Sequence, residues 1–206
     1  MIKAILFDFD GVLTVDKTGS ESILNYIAEK TNIPLDTLKT EYYKYNSDLL
    51  YGRLTHRDIW ESLCKSIGYS IEYSILIDSF RNTPIDNEMI SFAKELKKSY
   101  KIGMITDNKC DRIHEVLSHH DLKDLFDTVS ISAEYGSGKE ERPIFDITTE
   151  KLAVTPEQCI FIDNSPKNLI VPEQIGMRTI LFDDENRNVE CFRKTLNDII
   201  EKCNRT

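Results

Sequence analysis

Five short stretches of nearly continuous apolar character recur along the chain, at residues 2–8, 101–106, 128–132, 158–163 and 178–182. Turn-forming residues bound each of them, and an unbroken apolar run of this length predicts a strand covered on both faces. Between the runs the period changes. Residues 85–100 place Ile90, Ala93, Leu96 and Lys97 at helical spacing, and 111–122 put Ile113, Val116 and Leu117 on one face. A further helix over 143–152 leads into the fourth run. Strands alternating with helices predict an α/β fold built on a doubly wound parallel sheet. A last amphipathic stretch, 188–203, carries Val189, Phe192, Leu196, Ile199 and Ile200 and is expected to pack on that sheet.

The interval 15–83 breaks this alternation. It holds no strand pattern but several amphipathic stretches, at 22–30, 35–50, 55–67 and 71–80. Thr55 with Asp58 three residues on, ahead of Ile59 and Trp60, resembles a capping box. An insertion of this length is too long for a loop. The expected organisation is a core from residues 1–14 and 84–206, with an all-α helical cap over 15–83 above the carboxyl end of the first strand. Trp60 and most of the tyrosines at 42, 43, 45 and 51 are expected to pack within it.

Composition narrows the class. Of 206 residues, 40% are hydrophobic and 30% charged, enough to bury a real core. No apolar run approaches the length of a membrane span, and no signal-peptide pattern opens the chain, so a cytoplasmic protein is expected. The five cysteines are scattered without a C-x-x-C pair, which predicts reduced thiols. A net charge of -9 argues against nucleic-acid binding and leaves any anionic substrate to be drawn by local cations.

The chemistry sits where strands end. In an open α/β sheet, ligands bind beyond the carboxyl ends of the strands. The first run delivers Asp8 and Asp10, with Gly11 behind them. The second ends at Thr106-Asp107-Asn108 before a helix, where a hydroxyl and free N–H groups make a phosphate cradle or a simple N-cap. The fourth ends at Asp163-Asn164. Lys139 follows the third run in a glycine-flanked loop. Three carboxylates, Asp8, Asp10 and Asp163, repel one another unless cations join them, so the set asks for Lys139 and a divalent metal.

These residues resemble, in order and spacing, the four motifs of the haloacid dehalogenase-like (HAD) hydrolases. Asp8–Leu13 match D-x-D-G-[VT]-[LI], Thr106 the second motif, Lys139 with Ile144-Phe145 the third, and Asp163-Asn164 with Gly176-Met177 the fourth. The helical insertion resembles that family's C1-type cap. The resemblance implies a Mg²⁺-dependent phosphatase acting through an aspartyl-phosphate, with Asp8 as nucleophile and Asp10 as general acid and base. It implies substrate binding by Thr106, Asp107, Asn108 and Lys139, and metal binding by Asp8, Asp10, Asp163 and Asn164.

Three positions depart from the pattern. Asn164 stands where the family often has an acid that ligates the metal. Asp107 replaces the usual Asn or Gly. Lys139-Glu140-Glu141-Arg142 replaces K-P-[DE]-P, with Arg142 expected to add a cation near the site. Asp10 disfavours the dehalogenase branch, and Ser20, where mutases have a histidine, disfavours a phosphomutase. The sugar-phosphatase and epoxide-hydrolase N-terminal branches resemble the chain best. The expected partner is a small phosphorylated metabolite, bound by a monomer or homodimer without membrane. The remaining alternative is a non-catalytic phospho-ligand-binding or signalling module. Specificity is expected from the cap, around residues 14–20 and near Asn46, Asp48, Tyr51, Arg53 and His56.

Overall fold

The first apolar run becomes β1 (Ala4–Phe7), every residue of which is buried, at the centre of a parallel sheet. This computed structural model describes residues 1–204. The other strands are β2 (Lys101–Thr106), β3 (Thr128–Ile131), β4 (Cys159–Asp163) and β5 (Arg178–Leu181), in the order β3-β2-β1-β4-β5. Ala4 pairs with Lys101 on one side and Cys159 on the other. The chain moves outward from β1 to β2 and β3, then crosses back to β4 on the opposite flank. That reversal opens a crevice at the carboxyl ends of β1, β2 and β4.

Five helices fill the interval between β1 and the next core element: α1 (Gly19–Thr31), α2 (Leu35–Tyr42), α3 (Asn46–Leu50), α4 (His56–Ile67) and α5 (Tyr73–Arg81). The chain leaves and re-enters side by side, through a bridge between Thr14 and Ile85 and hydrogen bonds from Val15 N to Pro84 O and Asp86 N to Leu13 O. The one helix expected over 35–50 is two. No glycine or proline interrupts it, so local propensity gives no break; the chain turns at 43–45 while burying Tyr42 fully behind the turn. The capping box at Thr55 and Asp58 forms as expected, each side chain holding the other's backbone N–H. Thr55→Ala should cost about 1 kcal/mol of stability, read as a lower urea midpoint.

The core helices are α6 (Asn87–Leu96), α7 (Cys110–His119), α8 (Ser132–Tyr135), α9 (Pro143–Leu152), α10 (Ile170–Gln174) and α11 (Val189–Asn204). Side chains alternate across each strand, so the sheet builds two cores. Ile5, Phe7, Met104, Ile160 and Ile162 join α6, α7 and α11, and this core runs on into the helical insertion. Ala4, Leu6, Ile105 and Phe161 face α9 through Ile144, Phe145 and Leu152. The amphipathic tail helix packs as expected, with Phe192 edge-on to both Phe92 and Phe182. Trp60 is core, its indole N–H donating to Ile71 O. Among the described residues no helix is long and apolar enough to cross a membrane.

Candidate active site

Asp8 continues β1 by one residue, its N–H still donating to Ile162 O of β4. Beyond it the chain folds into a tight turn, in which the N–H groups of Val12, Leu13 and Thr14 all point to Phe9 O. Gly11 adopts φ +78°, and a Cβ there would come 2.8 Å from Asn164 Cγ. A left-handed residue under so close an amide has to be glycine. The turn brings Asp8 and Asp10 to one wall of a cleft of about 490 Å³.

Two separate ion-pair systems hold these carboxylates. Lys139, 2% exposed, reaches Asp8 Oδ1 at 2.9 Å and Asp163 Oδ2 at 2.7 Å. Asp163 is saturated by further donors, from Ser165 N and from Asn168 Nδ2 to both of its oxygens. Burial pushes the Asp8 carboxyl up to about 8, against the pull of Lys139. Burial also disfavours the Lys139 ammonium, but Asp8 and Asp163 outweigh it and hold it above the ordinary lysine range.

Asp10 is held by Arg112, which sequence reasoning missed. The guanidinium is fully buried and forks onto both oxygens, Nη2 to Oδ1 at 2.8 Å and Nη1 to Oδ2 at 2.9 Å. Asn108 Nδ2 adds a third bond to Asp10 at 2.6 Å. Arg112 therefore matches Asp10 one for one, whereas Asp8 and Asp163 share a single ammonium. With Asp8 ionised, the inner site is short of one positive charge.

The residues expected at the substrate divide. Thr106, Asp107 and Lys139 line the cleft with Asp8, Asp10 and Asn164, while Asn108 and Asp163 lie behind that wall. Asn108 is 1% exposed and spends its side chain on Asp10 and Thr106 rather than on open space. Asp107 accepts from Lys139 N, which turns one oxygen toward the backbone. Arg142 corrects an expectation: it is exposed and pairs with Asp146 one turn along α9, because it precedes the first turn of a surface helix.

From the insertion, Lys17, Thr18, Gly19, Ser20, Tyr43, Asn46 and Leu50 close the cleft. Others expected there do not reach it. Arg53 and Asp48 pair with each other at 2.6 Å, and Tyr51 contacts Glu140. His56 is fully buried between Asp111 and Tyr42. Burial holds its imidazole below the usual histidine range despite Asp111. Asp111 only accepts, so Nδ1 carries the proton and Nε2 accepts from the Tyr42 hydroxyl. His120 contacts Arg81 O through Nε2.

Lys109 was missed as well. It is 3% exposed, lines the cleft and donates to Ser20 Oγ at 2.7 Å. A sequence signal existed: 109, 112, 113, 116 and 117 form one helical stripe, so two cations stand at the spacing of the apolar face. Burial, with Arg112 adding repulsion, pulls the Lys109 ammonium down to about 7, Asp10 and Asp111 opposing. From there up to the ordinary lysine value of about 10.4, the unfolded chain holds a proton that the folded one has released. Lys109 thus makes stability rise with pH across that window. The urea-midpoint difference between wild type and Lys109→Met should climb from about pH 7 to about pH 9.5; a flat difference contradicts this.

Known proteins are similar to this chain over most of its length. D-ribitol-5-phosphate phosphatase of Bacteroides thetaiotaomicron is 23% identical, covering 90% of this chain and 93% of that protein. Glyceraldehyde 3-phosphate phosphatase of Methanopyrus kandleri is 25% identical, covering 87% and 83%. A HAD family enzyme of Bacteroides thetaiotaomicron, crystallised as the wild-type protein with magnesium and inorganic phosphate, shares the fold at a TM-score of 0.69 and 19% identity, covering 90% of this chain and 96% of that one. The model of the haloacid dehalogenase-like hydrolases matches residues 2–176. With that match spanning most of the chain, the protein belongs to the haloacid dehalogenase-like hydrolase family.

Proposed function

We propose that this hydrolase is a Mg²⁺-dependent phosphatase of small phosphomonoesters, a sugar or polyol phosphate in class, acting through an aspartyl-phosphate on Asp8. The observation that carries the reading is the division of labour between the two strand-end acids. Asp8 is fixed by a lysine shared with Asp163, and Asp10 by a separate arginine. The relatives named as phosphatases of ribitol 5-phosphate and glyceraldehyde 3-phosphate support the substrate class. So does a cleft of about 490 Å³ walled by hydroxyl, amide and lysine side chains.

The donor set fits a hard divalent cation. The charge deficit beside Asp8 asks for one, and the oxygens on offer are carboxylate, amide and carbonyl. Among the described residues no three His, Cys, Asp or Glu side chains converge on one point. Mg²⁺ needs no such cage, since it takes one or two carboxylates, water and substrate phosphate. Asp8, the Asp10 carbonyl and the Asn164 amide oxygen would hold it, with Asp163 serving to anchor Lys139. When bound, it neutralises charge on the phosphoryl oxygens and draws Asp8 into its ionised form.

Asp8 attacks phosphorus as the bond to the leaving oxygen breaks, while Thr106 and Lys139 position the phosphoryl oxygens. Asp10 gives its proton to the leaving oxygen, then takes one from the water that attacks the acyl phosphate, releasing inorganic phosphate and free Asp8. Both Asp10 oxygens face donors in this structure, so this work requires the carboxyl to turn from Arg112 toward the substrate. Residues 15–83 act as the cap that closes over it.

Hydrolysis of p-nitrophenyl phosphate tests the reading. Turnover should require Mg²⁺ and fall at least about a thousandfold in Asp8→Asn. Activity without any divalent metal, or undiminished in that variant, counts against it.

A further inference from the structure

Asn164 reaches the cleft from the end of β4, but one side of its amide is already engaged. Nδ2 donates to Asp184 Oδ2 at 2.9 Å. An ionised carboxylate only accepts, so this contact decides which end of the amide faces Asp184 and leaves Oδ1 on the other side. The amide lies directly over the Asp10-Gly11 turn, as the close approach to Gly11 shows.

Asp184 is not a loose surface acid. Its side chain is 15% exposed, and Lys17 lies 3.4 Å from Oδ1. The 183–187 loop that carries it is folded on Asp183, which accepts from the N–H groups of Glu185 and Asn186. Arg187 ties the same loop back to the first turn, donating to Gly11 O at 2.8 Å and Val12 O at 3.1 Å. The loop after β5 and the turn after β1 are thereby held in register, with Asn164 between them.

We propose that Asn164 and Asp184 act together as one anionic ligand for the divalent cation, Asn164 Oδ1 coordinating while Asp184 orients the amide and supplies the charge it lacks. The inference rests on the metal reading above. A carboxylate hydrogen-bonded to a ligating side chain fixes its orientation and raises its basicity, and such outer partners commonly matter about 10–100-fold in affinity. Asp184 is a positioning residue here and touches neither substrate nor metal.

Titration of the metal-free protein with Mn²⁺ alone, followed by the loss of the free-ion electron paramagnetic resonance signal, tests this without substrate. Asp184→Asn keeps an acceptor for the Asn164 N–H group and removes only the charge. It should bind Mn²⁺ about 10–100-fold more weakly than wild type. The exchange Asn164→Asp/Asp184→Asn moves the charge one residue inward and reverses the hydrogen bond, and should recover most of the loss. A purely structural role for Asp184 predicts no such recovery. Wild-type affinity in Asp184→Asn, or no recovery in the exchange, overturns the proposal while leaving the metal reading intact; a wild type that binds no Mn²⁺ overturns both.

Discussion

Lys139→Met should abolish turnover, by at least about a thousandfold, and remove about 3–5 kcal/mol of stability. The ammonium lies between Asp8 and Asp163, and both partners are nearly sealed from solvent. Without it two buried carboxylates face each other, and the cluster relieves the repulsion by taking up a proton. A protonated Asp8 is no nucleophile, so stability and activity fall for one physical reason. The sign with pH follows. The variant's deficit should be largest in alkali and shrink as pH falls toward about 8, because the variant's Asp8 takes up a proton in place of the missing ammonium before the wild-type carboxyl does. Urea midpoints from about pH 10 to about pH 7, wild type against variant, read this directly. A deficit that stays constant or grows as pH falls would show that Lys139 acts through packing alone.

Arg112→Met should be nearly as damaging, at about 3–5 kcal/mol. It strips the fork from Asp10 and leaves that carboxylate buried with Asn108 as its main donor. Lysine is a poor substitute, since a point charge cannot make two parallel bonds. The pair is also built into the entry of α1. A Cβ at Gly19 would fall 2.5 Å from Arg112 Cζ and 2.9 Å from Asp10 Oδ2, so bare backbone roofs the ion pair at the first residue of that helix. The coupling is measurable. Asp10→Asn combined with Arg112→Met should cost much less than the two single effects added, because the double variant leaves no unpaired buried charge. Additive losses would mean that the two residues stabilise the fold independently.

The strands were legible because their signal is local. Short apolar runs between turn residues gave all five, and the strand-end position of Asp8, Asp10, Thr106 and Asp163 followed from the topology of a parallel sheet. The capping box at Thr55 was legible for the same reason. What sequence did not reveal depends on partners distant in the chain. Nothing within 35–50 announces a break, since the turn goes with the burial of Tyr42 against His56. Arg112 stands at the spacing of the apolar face of α7, but only the fold brings in Asp10, 102 residues away, as its counter-charge. Asn164 looked like a lost acid, and only the fold places the carboxylate of Asp184 beside it. Arg142 erred the other way: a cation close in sequence to Lys139 is carried off by the surface turn of α9.

The claim on which the function rests is that Asp8 becomes covalently phosphorylated. Acyl phosphates are reduced by borohydride to the alcohol, so a quenched intermediate turns aspartate into homoserine at the site of attachment. Wild-type protein mixed with Mg²⁺ and p-nitrophenyl phosphate, quenched in acid during turnover, reduced and digested, should give homoserine at position 8 by peptide mass spectrometry. The same treatment of Asp8→Asn, or of wild type without substrate, should give none. Homoserine at another aspartate, or none at any position while phosphate is being released, would contradict Asp8 as the nucleophile.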